Sequence, residues 1–306
     1  MLKYNRRARA IALCASAALL AACASAPPET DPVDAAQLIH RRTGVQIPGR
    51  SEQQARQRLH DEIDALLSSP LDADTAVRVA LLNNPDMLAT YEDLGIAQSD
   101  LTQAGALQNP GFTFKRTHGD GQVFIERGIT FNLLNLITAP MAVRLEQRRF
   151  EAVKLDVAQS AQKLDLETRV AYLEAVAARQ AALYMDDVAQ TSHAAMDLSR
   201  GMAAAGNWSK LDQARQAAFH AITLNEVARA NHARVASEQK LARLLGMDAQ
   251  SAALKLPDAL PPVPQQDDDA SLPIDAVVKQ RLDVQAAQAR TARLAGDLGL
   301  TKATRF

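Results

Sequence analysis

Cysteine is nearly missing from this chain. Of 306 residues only Cys14 and Cys23 carry a thiol, so the rest of the chain holds no disulfide, no cysteine metal site and no cysteine nucleophile. Aromatic residues make up 4% and glycine is scarce at 13. Neither sign of charge dominates, with 34 basic against 35 acidic residues, which disfavours a nucleic-acid binder carried by bulk positive charge. No segment beyond the N-terminal region reaches 18 consecutive apolar residues, so no transmembrane helix is expected. A P-loop, His-Glu-x-x-His, Gly-x-Ser-x-Gly and a Rossmann fingerprint are all lacking. The six histidines (His40, His60, His118, His193, His220 and His232) show no i,i+3 or i,i+4 ligand pairing, and packed or solvated roles are expected for His220 and His232. Neither an enzyme, a cofactor nor a metal site is expected. What is abundant is alanine, 59 residues, with Leu, Gln, Arg and Glu, which favours a mainly helical protein.

Lys3, Arg6, Arg7 and Arg9 precede an apolar run from Ala10 to Ala22. A basic start and a short greasy run read as a signal peptide over 1–22. The run ends Leu20-Ala21-Ala22-Cys23, which looks like a bacterial lipobox whose cysteine is lipidated. An ordinary cleavage site around Ala22-Cys23-Ala24 is the alternative. Acyl chains on Cys23, at about 0.8 kcal/mol per buried methylene, would hold the N-terminus on a membrane. Ala24 stands after the cysteine rather than aspartate, and similarity to sorted lipoproteins points to the outer membrane. Residues 23–71 read as a Pro-containing tether and a short helix from Ser51 to about Leu67.

A second helix is expected from Ala73, interrupted at Asn83-Asn84-Pro85. Asn84 suits an N-cap and Pro85 the first helical position, so a new helix should run to about Leu107. Asn109-Pro110-Gly111 breaks it, and the period then changes to two. Phe112 and Phe114 alternate with polar residues, His118-Gly119-Asp120-Gly121 reads as a turn, and Val123, Ile125, Ile129, Phe131 and Leu133 share one face with Arg127 out of place. This is a β-hairpin over 111–133 with an apolar and a polar face, at the length a tilted membrane strand needs, about 9–11 residues. Alternation alone leaves a soluble hairpin packed on a helix open.

Thr138-Ala139-Pro140 is read as opening the longest element, Met141 to Arg200. Its stripe of Phe150, Val153, Val157, Ala161, Leu164, Thr168, Ala171, Ala175, Ala178, Ala182 and Met185 alternates steps of three and four, the mark of a coiled-coil seam. Gly201 and Gly206-Asn207 end it. Ser209-Lys210-Leu211-Asp212 then looks like a capping box, and a return helix runs to Leu245 with Gly246 as its C′ residue. Its expected seam is Ala214, Ala218, Ala221, Leu224, Ala228, His232 and Val235. The pair forms an antiparallel helical hairpin over 139–245. Residues 251–273, with Pro257, Pro261, Pro262, Pro264 and Asp267 to Asp269, read as a solvated linker. A final helical region begins near Ile274. From Arg281 the chain echoes that from Asn84 at an offset of 197, with five identities in 26 positions, which suggests a duplication.

Here the sequence resembles the TolC-type outer-membrane efflux factors. The residues that carry this are Ala80-Leu81-Leu82-Asn83-Asn84-Pro85, Leu94-Gly95-Ile96-Ala97 with Asp100-Leu101, Ala104-Gly105 through Asn109-Pro110, Gly206-Asn207 with Ser209, Leu211 and Asp212, Leu244-Leu245-Gly246, and Arg281-Leu282-Asp283-Val284 with Ala286-Ala287. Their order and spacing span Asp72 to Phe306. The resemblance implies a mainly α protein: long antiparallel coiled-coil-like helices with one β-hairpin, one repeat (72–250) of a trimeric α-barrel/β-barrel channel. Phe112, Phe114, Val123, Ile125, Ile129 and Phe131 would face outer-membrane lipid. Gly206, Asn207, Trp208, Ser209, Leu211 and Asp212 would form a periplasmic tip that docks the adaptor of a tripartite pump, in series with an inner-membrane pump.

Trp208 reads equally as an exposed partner contact or a local packing anchor, and Ser209 with Asp212 is a helix cap before it is a docking determinant. The implied function is passive export. The second copy (274–306) stops before its own hairpin, and three chains would supply six strands, below the smallest known barrels. The resemblance therefore also implies an interrupted copy, inactive as a channel by itself. The competing reading is a lipid-anchored periplasmic coiled-coil adaptor or scaffold that never enters the bilayer.

Overall fold

The computed structural model describes residues 53–106, 109–119, 122–247, 254–263 and 274–303, with three isolated positions before them. The signal segment, Cys23 and its tether, Leu107, Asp120-Gly121, 248–253 and Asp267 to Asp269 lie outside the described residues. The described elements are α1 (Gln53–Ser68), α2 (Ala73–Asn83), α3 (Pro85–Gly105), β1 (Gly111–Gly119), β2 (Gln122–Thr130), α4 (Leu133–Ala204), α5 (Lys210–Leu244), α6 (Ile274–Gln280) and α7 (Leu282–Ala303). They fall into two compact units, one of Leu94–Val153 with the residues from Ala286 onward, the other of Val33–Asp93 with Lys154–Gln285.

The second unit is helical. Within it α4 runs from Lys154 to Ala204, roughly 75 Å at 1.5 Å per residue, and returns through α5. The expected α4 seam is there. Val157, Ala161, Leu164, Thr168, Ala171, Ala175 and Ala182 are buried, and Ala178 and Met185 are half-buried. It continues beyond the expected stripe through Ser192, Met196 and Ser199. Small residues at these steps let neighbouring backbones approach closely, so burial here comes from contact rather than from bulk.

The seam expected on α5 is not the one used. Ala214, Ala218, Ala221, Leu224, Ala228, His232 and Val235 are all exposed. The face toward the rest of the unit carries His220, Thr223, Val227, Ala230, Leu241 and Leu245, buried or half-buried. So many alanines give α5 small residues on two faces, and periodicity alone cannot choose between them. Specific contacts choose: Lys240 Nζ donates to Glu174 at 2.7 Å and His220 meets Ser192 at 2.8 Å.

Two motifs that lie 160 residues apart meet at one joint. Asn84 caps α3 as expected, its Oδ1 accepting from Met87 N–H at 3.0 Å. Its Nδ2 donates to the Leu244 carbonyl at 3.0 Å, and Asn83 Nδ2 donates to Leu245 at 2.8 Å and Gly246 at 3.1 Å. These are the carbonyls a helix C-terminus leaves without partners. Gly246 has φ +70°, and a Cβ there would sit 2.3 Å from the Asn83 carbonyl oxygen, so glycine is required twice over.

Around the α1–α2 turn, Leu71 donates to Lys255 O at 2.8 Å and accepts from Tyr172 Oη at 3.0 Å. Burial, then the Asp72 carboxylate, push the Tyr172 phenol up, which keeps it a donor. The first part of the expected linker is therefore held: Arg179 pairs with Asp258 at 2.9 Å, Leu260 N–H reaches Gln180 at 3.0 Å and Leu256 is buried.

In the other unit, Ala97, Leu101 and Phe150 form a small core with Leu94, Val143 and Val153 against it. Arg149 pairs with Asp100 at 3.0 Å, and Arg148 donates to Ala292 O at 3.1 Å, tying α3, α4 and α7 together. Two boundaries differ from expectation. α4 begins at Leu133, with Pro140 inside its opening turns rather than at its start, and it runs past Gly201 to Ala204. At the eighth helical position proline is past the first turn, so it removes one intrahelical hydrogen bond that the helix must do without. Leu133 is thus helical, and Phe131 falls between β2 and α4. The breaks after Asn83 and after Gln280 lie 197 residues apart, as do the starts at Pro85 and Leu282.

Candidate membrane hairpin and helical tip

β1 and β2 pair antiparallel with Phe112 opposite Ile129, Phe114 opposite Arg127, Arg116 opposite Ile125 and His118 opposite Val123. Directly opposed residues share a face. One face therefore carries Phe112, Phe114, Val123, Ile125 and Ile129 together, with Arg116, Arg127 and His118. The register resolves the misfit at Arg127: its guanidinium lies 6.0 Å from the Phe114 ring centroid, a cation–π distance that lets a charge sit in an apolar row. The other face holds Thr113, Lys115, Thr117, Gln122, Glu126 and Thr130, with Lys115 opposite Glu126 and Phe124 the apolar exception.

Each strand has nine residues. Among the described residues nothing covers the apolar row: Phe112 is 71% exposed and Ile129 66%. A soluble hairpin lying on a helix would bury that row. The exposed apolar surface also continues through Phe131 and Leu133 to Ile137, 76% exposed at the start of α4. Sequence reading missed Ile137, because an isolated apolar residue at a helix start carries no period.

The tip is the turn between α4 and α5. Gly206 has φ +78°, Asn207 N–H donates to Met202 O at 2.9 Å and Gly206 N–H to Ala203 O at 3.1 Å, a glycine C-terminal cap with two crossed bonds. Ser209 caps α5: its Oγ accepts from Asp212 N–H at 3.1 Å and donates to the Asp212 carboxylate at 2.6 Å. Arg215 lies 3.4 Å from the same carboxylate. Trp208 is 39% exposed and Leu211 is exposed, so the turn is rigid by its caps and offers apolar surface to solvent. Among the described residues there is no cluster of three or more His, Cys, Asp or Glu that would hold a metal, and no helix is long and apolar enough to cross a membrane.

No protein-family model matches the sequence, and no match is found among curated proteins. Solved structures do match. CusC, a protein studied for its folding and transmembrane channel formation, has 16% identity and a TM-score of 0.62, covering 76% of this chain and 57% of its own. A membrane protein from Pseudomonas aeruginosa has 19% identity and a TM-score of 0.60 at the same coverage. The outer membrane protein VceC from Vibrio cholerae has 16% identity and a TM-score of 0.58, covering 81% of this chain and 60% of its own. The fold is that of TolC-type outer-membrane channel proteins, one helical and hairpin repeat of it. The chain spans less than two thirds of the length of these solved structures.

Proposed function

We propose that this chain is a component of an outer-membrane channel, a passive export conduit in which no bond is made or broken. The observation that carries this is the hairpin, two nine-residue strands whose apolar row none of the described residues covers. In water that row costs stability; in lipid it is the outward face of a barrel wall. Backbone groups at a strand edge need partners in lipid, so the hairpin requires further strands. Three copies of it give six, and the smallest barrels use eight, so a closed barrel on a trimer needs strands beyond this pair.

Assembly with further copies is supported by a second uncovered surface: Leu224 and Val235 on α5, and Leu166, Val170 and Leu173 on α4, are exposed at helical spacing. In this reading Cys23 carries the lipid, the helical unit stands in the periplasm, and the tip from Gly206 to Asp212 docks a periplasmic adaptor working with an inner-membrane pump.

The test uses single cysteines placed along β2 from Gln122 to Thr130, each labelled with a polarity-sensitive dye in outer-membrane vesicles. Blue-shifted emission at 123, 125 and 129 against red-shifted emission at 122, 126 and 130 is expected. Uniformly water-like emission would instead leave the periplasmic scaffold reading standing. At the tip, Leu211→Asp should reduce adaptor crosslinking several-fold while helicity stays unchanged, since the residue is exposed and its loss costs roughly 0.5 kcal/mol or less.

A further inference from the structure

The seam between α4 and α5 brings together two histidines that lie far apart in the sequence, about three helical turns on either side of the tip. The rings of His193 and His220 are 5.3 Å apart between centroids, at an interplanar angle of 79°. One hydrogen bond places a proton. Ser192 donates its single hydroxyl proton to Ala189 O at 2.9 Å. Its oxygen, 2.8 Å from His220 Nδ1, can therefore only accept there, so His220 carries a proton on Nδ1. His193 Nδ1 lies 3.3 Å from the Asp197 carboxylate, which is itself held by Arg200 at 3.0 Å. Nδ1 of each ring thus faces an oxygen of its surroundings, which leaves Nε2 as the nitrogen available to a ligand, one from each helix.

From this geometry we infer that His193 and His220 form a two-imidazole site for a transition-metal ion of the class that prefers nitrogen ligands, Zn²⁺, Ni²⁺ or Cu²⁺. Two imidazoles on one tetrahedral ion, with metal–nitrogen bonds of about 2.0–2.1 Å, place their ring centroids about 5 Å apart. The observed spacing already meets that requirement. Ser192 supplies the outer hydrogen bond that a metal-bound histidine typically donates, and the Asp197 carboxylate stands beside His193 Nδ1 on the other helix. No third ligand joins them among the described residues, so water completes the coordination and the site is an open one. The ion would staple the helical hairpin across its seam. This site does not depend on the channel reading, because it lies wholly within one chain's helical pair.

Calorimetric titration of the detergent-solubilised full chain with zinc chloride tests it. One Zn²⁺ per chain is expected, with affinity weakened at least about tenfold by His193→Gln or by His220→Gln and about tenfold by Ser192→Ala. His232→Gln, on the same helix but away from the pair, should bind as the parent does, and the helical circular dichroism of every variant should match the parent. Absence of binding by the parent chain, or equal affinity in the His193→Gln/His220→Gln double variant, would overturn the proposal.

Discussion

The helical unit and the hairpin use the same kinds of residue in opposite ways. Within the helical unit the chain buries its small residues and a few large ones: Ala161, Ala171 and Ala175 are sealed, and Leu81, Leu241 and Leu245 are among the fully buried side chains. On β1 and β2 it leaves Phe112, Phe114, Ile125 and Ile129 uncovered. Each such side chain, if buried, would contribute about 1.5–3 kcal/mol, and a lone two-stranded hairpin is marginal in water. The helical pair is therefore stabilised by its own chain, while the hairpin waits on surroundings the described residues do not provide. Apart from the surface it leaves for further copies, one region is a finished packing problem and the other is half of one.

The largest effect should come from the finished side. Leu241→Ala removes a fully buried side chain and should cost about 2–5 kcal/mol, read as a lower urea midpoint of the helical signal. Ile129→Arg is the counterpart in the hairpin. It should leave that midpoint within about 0.5 kcal/mol, yet weaken insertion into outer-membrane vesicles by about 2–4 kcal/mol if the residue faces the lipid midplane. The comparison breaks if Ile129→Arg lowers the urea midpoint as far as Leu241→Ala does, because the hairpin would then be packed on its own protein.

Sequence patterning reached the hairpin, the α4 seam and the Asn84 cap because each is local or strictly periodic. It failed on α5, where alanine at nearly every third or fourth position supports two seams and only Ser192–His220 and Glu174–Lys240 select one. It misplaced the start of α4, since Thr138-Ala139-Pro140 is a sound helix-start pattern and outweighed Asn132, itself a favoured N-cap type just before Leu133. The hydrogen bonds from Asn83 and Asn84 to the end of α5 were unreadable as a contact, although both motifs were visible separately. The neighbouring rings of His193 and His220 escaped for the same reason: pairs formed across a helical hairpin have no fixed spacing in the chain.

Smaller variants sharpen the contrast within the helical unit itself. Asn84→Ala loses both the cap on Met87 N–H and the donor to Leu244 O, and should cost about 1–2 kcal/mol. It should do so without changing the dye pattern along β2, since hairpin exposure does not depend on that joint.

The smallest effect is at Asp72, whose side chain caps α2 by accepting from Thr75 N–H. That backbone hydrogen bond, ahead of the Thr75 side chain and against partial burial, holds its carboxyl below the usual carboxylate range. A depressed value in the folded chain means the contribution is fully present above the unfolded value of about 3.9 and is lost as pH falls through the folded one. Asp72→Ala should therefore cost about 1 kcal/mol near neutrality. Parent and variant urea midpoints should converge as the pH is lowered through the depressed folded-state value. A gap that persists unchanged in acid would show that Asp72 acts through packing and not through its charged cap, and α2 would then owe its start to the buried Ala76 and Val77 alone.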